Sequence, residues 1–291
     1  MEKLMKKRYP SSFIIPAILV FGIFFVLPTV LGFFYSFTNW DIDRSQIQFI
    51  GLDNFKYLFS RDEFTVALKN TLIFGIFTAV LKNIIGLLLA LGVNKDLRSK
   101  NYLRTMFYLP GVLSMIVVGI MFNSIFAMDG MLNNTLEAIG LGMLTTNWLG
   151  NKSTAMACII IMEIWKWSGF HMIIYIAGLQ TIPKELLEAS TVDGATKWMQ
   201  FWKVILPLLI SSVSINIIIG LIGGFKVFEQ VYVLTNGGPG GSTQVLNTLV
   251  FQSFSQGLYG RGSAMGLLLF LFITIISLLL NTYLKSKEVD S

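Results

Sequence analysis

Long apolar stretches alternate with shorter polar stretches along the whole of this chain. A helix that crosses the hydrocarbon core of a membrane needs roughly 20 mostly apolar residues. The stretches that meet this requirement are Phe13–Phe37, Asn70–Val93, Met106–Met128, Ala155–Leu179, Leu208–Gln230 and Ala264–Leu284. None of them has the two-residue alternation of a membrane β-barrel strand. The pattern predicts an all-α integral membrane protein with about six transmembrane helices in a single domain, residues 1–291.

The polar stretches predict loops of two kinds on the two sides of the membrane. On one side, residues 38–69, 129–154 and 232–263 carry short amphipathic patterns, such as Phe55, Leu58 and Phe59 at helical spacing. The third of these loops also contains the glycine and proline cluster LTNGGPGGST. On the other side, residues 94–104 form a short basic connection, whereas residues 181–207 form a longer polar insert.

The distribution of lysine and arginine predicts an orientation. With the N-terminus inside, the inner segments hold 13 of these residues and the outer segments five, with Lys69 at a boundary. Because cytoplasmic loops are enriched in lysine and arginine, we expect both termini in the cytoplasm. The same bias explains the net charge of +6, so that charge does not indicate a nucleic-acid partner. The first apolar stretch is too long for a signal peptide and predicts a retained helix, bent at Pro16 and Pro28.

Composition narrows the class further. Hydrophobic residues make up 54% of the chain and charged residues 13%, which excludes an ordinary soluble domain. The single cysteine, Cys158, lies in an apolar stretch and is expected to be a buried, inert thiol. The single histidine, His171, is expected to be a hydrogen-bonded helix residue. No spacing of side chains resembles a metal site.

The polar insert, residues 181–207, has a pattern of its own. Pro183 suits a first helical turn, and Glu185 and Glu188 follow it, where negative charge favours a helix N-terminus. Gly194 is a natural helix end, and a second amphipathic helix would follow it. Two short helices with a glycine corner form a rigid lever for a soluble partner. The alternative is a helix hairpin that merely lies on the membrane surface.

Charged side chains lie inside the apolar stretches or at their ends: Lys82, Glu163, Lys166, Lys226 and Glu229. Charges at membrane depth are costly and usually face a bundle interior or a water-filled cavity. Glu163 and Lys166 are three residues apart, as are Lys226 and Glu229, so each couple can neutralise itself on one helix face. Two explanations of these charged side chains are open. They pair with each other or extend to the membrane surface, or they line the path of a hydroxylated solute.

Aromatic and amide side chains accompany these charges. A site for a sugar combines aromatic rings with a few polar groups, and Trp165 and Trp167 around Lys166, with Phe225 and Phe228 beside Lys226, fit that description. Asn216 gives the fifth predicted helix a polar position for close packing or a passage. The rings fit an aromatic belt at the membrane surface equally well. These residues join the charged ones as candidates for a substrate pathway.

The polar insert resembles a known motif. Its sequence ELLEASTVDGATKWMQFWKVILP is similar to the EAA loop of membrane subunits of binding-protein-dependent ABC importers, in which Glu-Ala-Ala precedes a glycine and Ile-x-Leu-Pro. The matching positions are Glu188, Ala189, Ser190, Gly194, Val204, Leu206 and Pro207, with Ser190 and Val204 in place of Ala and Ile. The resemblance implies that this loop, which also contains Glu185 and Asp193, inserts into a cleft of a cytoplasmic ATPase. Glu188 would lie near the contact and Gly194 at the corner.

The C-terminal part of the chain narrows the resemblance to carbohydrate-uptake permeases of the maltose and glycerol-phosphate type. The loop Leu234–Pro239 matches their LTxGGP sequence, and Phe228-Glu229 stands where they have Phe-Asp. SFTNW and GLDNFKYL near the N-terminus also fit, so the resemblance covers nearly the whole chain. It implies a subunit in the inner membrane of a bacterial or archaeal cell that imports a carbohydrate. Its partners would be a homologous second permease, two ATPase subunits and an extracytoplasmic solute-binding protein.

Other classes of function fit less well. The chain has no GxxxxGK[ST] loop, so we expect ATP and Mg²⁺ to be bound by the partner ATPases, with no cofactor and no catalytic residue in this chain. An ion-gradient-driven secondary transporter would be expected to have inverted repeats and paired broken helices, which the sequence does not reveal. An intramembrane enzyme needs a nucleophile with its base, or a metal, and a lone histidine and cysteine supply neither.

Overall fold

The computed structural model describes residues 11–43, 46–95 and 98–286, and every regular element within these ranges is helical. Five helices there are long and apolar enough to cross a membrane, and a sixth span results if one bent pair is counted. The all-α membrane fold predicted from the sequence is confirmed. The orientation of the termini stays a prediction, and several basic residues that support it, among them Lys3 and Lys6, lie outside the described residues.

The helices are numbered here in chain order. They are α1 (Ile15–Tyr35), α2 (Asp53–Phe59), α3 (Asp62–Val93), α4 (Lys100–Val112), α5 (Met115–Phe126), α6 (Met131–Ala138), α7 (Ala155–Thr181), α8 (Lys184–Val192), α9 (Lys197–Leu208), α10 (Ile210–Phe225), α11 (Glu229–Leu234), α12 (Leu246–Ser255) and α13 (Tyr259–Lys285). Helices α3 and α13 begin earlier than predicted, at Asp62 rather than Asn70 and at Tyr259 rather than Ala264. The first turns of both helices are polar, so hydropathy alone does not indicate where these helices begin.

Two compact units divide the chain, and each is described by itself. The first unit comprises residues 11–62 and 249–270, and the second comprises residues 63–248 and 271–286. In the first unit, the buried Asn54 donates both hydrogens of its amide nitrogen, to Ser36 O at 2.9 Å and to Thr38 O at 2.8 Å. In the second unit, one apolar cluster forms around Phe74 and Ile159, and another forms around Tyr175 and Leu209.

The third predicted span, Met106–Met128, is wrong as a single helix. Helix α4 ends at Val112 and α5 begins at Met115, because Leu113 and Ser114 between them are extended, with ψ of 144° and 142°. Pro110 lies in the last turn of α4 and Gly111 follows it, and both residue types disfavour a continuing helix. The membrane-spanning candidate here is Met115–Ala138 instead.

Two prolines inside apolar helices are each preceded by a widened turn. A π-turn over Gly22–Val26 ends two residues before Pro28, and a π-turn over Phe201–Ile205 ends two residues before Pro207. Proline has no N–H for the carbonyl four residues earlier, and its ring collides with that carbonyl. In each helix that carbonyl belongs to the π-turn, where the i to i+5 bonding displaces it. The bend predicted at Pro28 therefore takes the form of a local widening.

The fifth predicted span, Leu208–Gln230, is wrong as a single helix. Helices α9 and α10 meet at Leu209 with a bend of 70°, and α10 ends at Phe225. A separate short helix, α11, begins after Phe228, whose φ of −147° and ψ of −65° are not helical. Helix α10 packs closely on α3, because a Cβ on Gly224 would lie 2.7 Å from the Cα of Gly75.

Candidate functional site

The insert between α7 and α10 contains the helix, glycine corner and second helix that its pattern predicts. Helix α8 ends in a Schellman motif, in which the N–H of Ala195 donates to Ser190 O and the N–H of Gly194 donates to Thr191 O, both at 3.0 Å. Gly194 has a φ of +80°, the left-handed conformation that this motif requires. Thr196 then begins α9 as its N-cap, accepting a bond from the N–H of Met199 at 3.3 Å.

A glutamine that the sequence did not single out fastens this corner. Gln200 on α9 reaches back to α8, where its Nε2 donates to Leu187 O at 2.8 Å and to Ser190 Oγ at 2.7 Å. The hydroxyl of Ser190 therefore accepts a bond that an alanine at this motif position would lack. A glutamine on an amphipathic helix carries no signal of its own, so only the fold reveals this bracket between α8 and α9.

The outer surface of the insert is open. Among its predicted residues, Glu185, Glu188, Ala189, Asp193, Gly194 and Pro207 are exposed, whereas Ser190 and Leu206 are half-buried. Large apolar side chains are exposed beside them, including Val192 at 87% and Trp198 at 72%. A surface that mixes acidic groups with exposed apolar side chains is typical of a docking surface. Its function as an ATPase contact stays a prediction.

A second polar cluster lies inside the helix bundle of the second unit, centred on Glu163. Lys82 Nζ on α3 donates to Glu163 Oε1 on α7 at 2.8 Å, and Gln230 Nε2 on α11 donates to Glu163 Oε2 at 2.8 Å. Lys82 and Glu163 are 3% exposed. Among the described residues, no ion pair joins Glu163 to Lys166 on the same helix, which is the pairing that the three-residue spacing suggested. The partner of Glu163 comes instead from 81 positions away.

Lys166 donates hydrogen bonds to backbone carbonyls at the break in the third predicted span. Its Nζ donates to Pro110 O and Gly111 O, both at 3.3 Å, and also to Leu113 O. These carbonyls lie where α4 stops. Pro110 O also accepts the N–H of Leu113 at 3.2 Å, whereas within the described residues no backbone N–H at the break donates to Gly111 O or Leu113 O. An ammonium group has three donors, so Lys166 bonds all three carbonyls, and it pairs Gly111 O and Leu113 O, which would be costly to leave unpaired in a membrane.

The remaining predicted pathway residues separate into buried and exposed groups. Asn216 is completely buried, and its Oδ1 lies 2.7 Å from His171 Nδ1, so it joins α10 to α7. His171 is therefore the hydrogen-bonded helix residue that the sequence predicted. Lys226 and Glu229 are exposed, and no ion pair joins them in the described part of the chain.

The two predicted aromatic residues stand at partly open positions. Trp165 is 39% exposed and packs edge-on against Phe122, with ring centroids 5.4 Å apart. Phe228 stacks on Tyr232 at 5.3 Å. Cys158 is buried in an apolar cluster, as expected. Within residues 11–43, 46–95 and 98–286, no group of three or more His, Cys, Asp or Glu side chains could hold a metal ion.

Comparison with known proteins adds the family. Residues 82–287 match the family described as binding-protein-dependent transport system inner membrane component. The multiple sugar-binding transport system permease protein MsmF of Streptococcus mutans is 34% identical over 289 residues, which cover 99% of each chain. The trehalose/maltose transport system permease protein MalF of Thermococcus litoralis is 33% identical over 273 residues, 94% of this chain and 91% of that protein.

A solved structure agrees with these relatives. A chain in the crystal structure of a bacterial ABC transporter involved in the import of the acidic polysaccharide alginate superposes with a TM-score of 0.85 at 26% identity, covering 98% of both chains. Such a family performs transport, and the chemistry of ATP hydrolysis is not part of its description. This chain belongs to the inner membrane components of binding-protein-dependent transport systems, and it is a multi-pass membrane subunit of a transporter rather than an enzyme.

Proposed function

We propose that this chain is one of two homologous permease subunits of an ABC importer for a carbohydrate. The similar permeases named for multiple sugars, for starch degradation products and for trehalose and maltose support this class of solute. The related transporter with its periplasmic protein bound to an alginate pentasaccharide supports an oligosaccharide delivered by a solute-binding protein. Two ATPase subunits on the cytoplasmic side would bind ATP and Mg²⁺, and this chain would bind neither.

The distribution of lysine and arginine supports an orientation of the chain in the cell membrane. Lysine and arginine are concentrated in the segments assigned to the inside, which supports cytoplasmic N- and C-termini and a cytoplasmic insert. Similar permeases come from bacteria and from archaea, so the cell membrane of either is the expected site. In this topology the ends of the membrane helices near Trp40 and Tyr259 face the outside.

The exposed corner around Gly194 is the observation that carries the proposal. The corner is built as a stiff lever: a Schellman motif closes α8, and the two bonds from Gln200 hold α9 against it. Helix α9 then leads through the 70° bend into α10. When the ATPases close around ATP, a force on the lever would therefore reach α10 without being lost in a flexible loop. The insert would act only by position, and every bond-breaking step would belong to the ATPase.

For the solute, we propose a path along the exposed members of the predicted set. Trp165 and Phe228 offer ring faces or edges for sugar C–H groups, and Lys226 and Glu229 offer polar ends for hydroxyls. The buried members, Glu163, Lys166 and Asn216, would instead hold the helices that carry the path. This division assigns solute contact to residues that need not break an internal hydrogen bond first.

A pull-down from membranes tests the proposal. Tagged wild-type chain should recover a second permease and an ATPase, with hydrolysis stimulated by sugar-loaded binding protein. Glu188→Lys should lower recovery of the ATPase about tenfold or more, because it places a charge of the wrong sign in the contact. Glu137→Lys on α6 is the matched control, since Glu137 is also exposed but lies on the opposite side in this topology. Equal recovery with Glu188→Lys and wild type would refute the assignment of the insert.

A further inference from the structure

A small, walled pocket lies in the first unit, outside every site described above. It has a volume of about 80 Å³ and is lined by Asn39, Trp40, Asp41, Ile50, Asn54, Leu258 and Arg261. Sites for whole small molecules have about 300–1,000 Å³, so this pocket has room for the end of one side chain and not for a sugar.

The walls of the pocket are fixed by backbone hydrogen bonds. The N–H of Gly260 donates to Trp40 O at 2.8 Å, and the N–H of Ile42 donates to Gly257 O at 2.9 Å. Asn54 fixes the loop after α1 through its two hydrogen bonds to Ser36 O and Thr38 O. A pocket that is held in this way before a ligand arrives loses little conformational entropy on binding.

Arg261 is the charged donor of the pocket. It is half-buried, and its guanidinium carbon lies 4.0 Å from the ring centroid of Tyr57. In the described part of the chain it makes no hydrogen bond and no ion pair, so its five N–H donors have no acceptor there. Asp41 also lines the pocket, and its Oδ1 accepts the N–H of Asp43 at 2.9 Å.

The neighbours of Arg261 favour an acceptor as the ligand. The amide oxygen of Asn39 accepts the N–H of Gln48 at 2.8 Å, which leaves its NH₂ group as a donor at the pocket. The indole of Trp40 makes tilted contacts with the rings of Tyr35 and Tyr259, with centroids 4.2 Å and 4.7 Å away. A carboxylate accepts only, and an arginine fork binds it with two parallel bonds.

We propose that this pocket receives an acidic side chain of the solute-binding protein, with Arg261 as its anchor. The inference rests on the proposed function, which places the pocket on the outer face, where that protein must land. An arginine in a preformed pocket of side-chain size is the kind of anchor that dominates interfaces. The contact would align the binding protein over the permease before the solute is released.

The test uses the complete transporter in lipid nanodiscs and the sugar-loaded solute-binding protein that stimulates its ATPase. ATPase rate is measured against binding-protein concentration for wild type, Arg261→Gln and the matched control Arg61→Gln. Arg61 stacks on the same tyrosine at 4.6 Å but does not line the pocket. We expect Arg261→Gln to raise the half-maximal concentration about tenfold, the effect of one charge-assisted contact, with basal and maximal rates unchanged. Arg61→Gln should match wild type.

Other results would overturn the proposal. If the ATPase curve of Arg261→Gln superposes on that of wild type, Arg261 does not contact the binding protein. If Arg261→Gln and Arg61→Gln raise the half-maximal concentration equally, Arg261 acts only by stacking on the tyrosine ring. If Asp41→Asn raises that concentration and Arg261→Gln does not, the pocket receives a basic side chain instead. If Arg261→Gln does not assemble, Arg261→Lys keeps the charge without the fork, and an unshifted curve refutes the anchor. A wild-type ATPase that no binding protein stimulates would instead refute the proposed function itself.

Discussion

Removal of one partner from the buried Lys82–Glu163 pair should destabilise the permease far more than removal of both. Within the described part of the chain, Lys82→Met leaves a carboxylate that is 3% exposed with Gln230 as its one remaining hydrogen-bond donor, and Glu163→Met leaves an equally buried ammonium. Breaking a buried ion pair by removing one partner costs about 3–5 kcal/mol. Replacement of both partners by apolar side chains of similar volume is often neutral, because both desolvation penalties disappear together.

These free energies translate into a measurable shift of the unfolding temperature. For a chain of roughly this size, a loss of 1 kcal/mol lowers Tm by about 2–4 °C, so either single variant should lose about 6–20 °C. The double variant Lys82→Met with Glu163→Met should lie within about 4 °C of wild type. Tryptophan fluorescence of the purified transporter in detergent, followed on heating, measures each value.

An exposed pair in the same chain provides the matched control. Lys56 and Asp53 are 3.2 Å apart on α2, with side chains 76% and 64% exposed. Exposed pairs contribute about 0–1 kcal/mol, so Lys56→Met should leave Tm almost unchanged. If the double variant is as unstable as the two single losses added together, or if Lys82→Met behaves like Lys56→Met, the pair does not carry the buried charge balance that we assign to it.

Three further changes test the other elements. Lys166→Met leaves the carbonyls of Gly111 and Leu113 at the break after α4 without the Lys166 donor, and it should lower Tm by about as much as Lys82→Met; a wild-type Tm would show that other donors satisfy the break. Gln200→Ala removes both bonds of the bracket, at about 1 kcal/mol each, and should increase the ATP hydrolysed per sugar imported without reducing ATPase recovery; unchanged coupling would contradict the lever. Gly194→Val places a β-branched residue at a φ of +80°, and it should weaken ATPase recovery more than Gly194→Asn, which tolerates that conformation; equal recovery would show that the corner does not need its geometry.

The two broken spans show where hydropathy fails as a guide. Residues 106–128 are mostly apolar, and a hydropathy window over them does not distinguish a straight helix from two helices that meet at Leu113 and Ser114. Pro110 and Gly111 were a usable signal, but prolines are also tolerated inside membrane helices, as Pro28 is within α1. The outcome depends on whether another helix supplies donors to the freed carbonyls, and here Lys166 does so.

Sequence by itself determined the class of this protein, because a membrane demands long apolar helices and that demand is local to each segment. It also determined the glycine corner of the insert, since only a few residue types adopt a positive φ and the motif lies within one short stretch. Only the tertiary structure decided that Glu163 pairs with Lys82 rather than with Lys166, that Gln200 brackets the corner, and that Arg261 lines a pocket with Asn39. Each of these depends on side chains that the tertiary fold brings together. Residue spacing along one helix does not show which side chains of other segments pack against it.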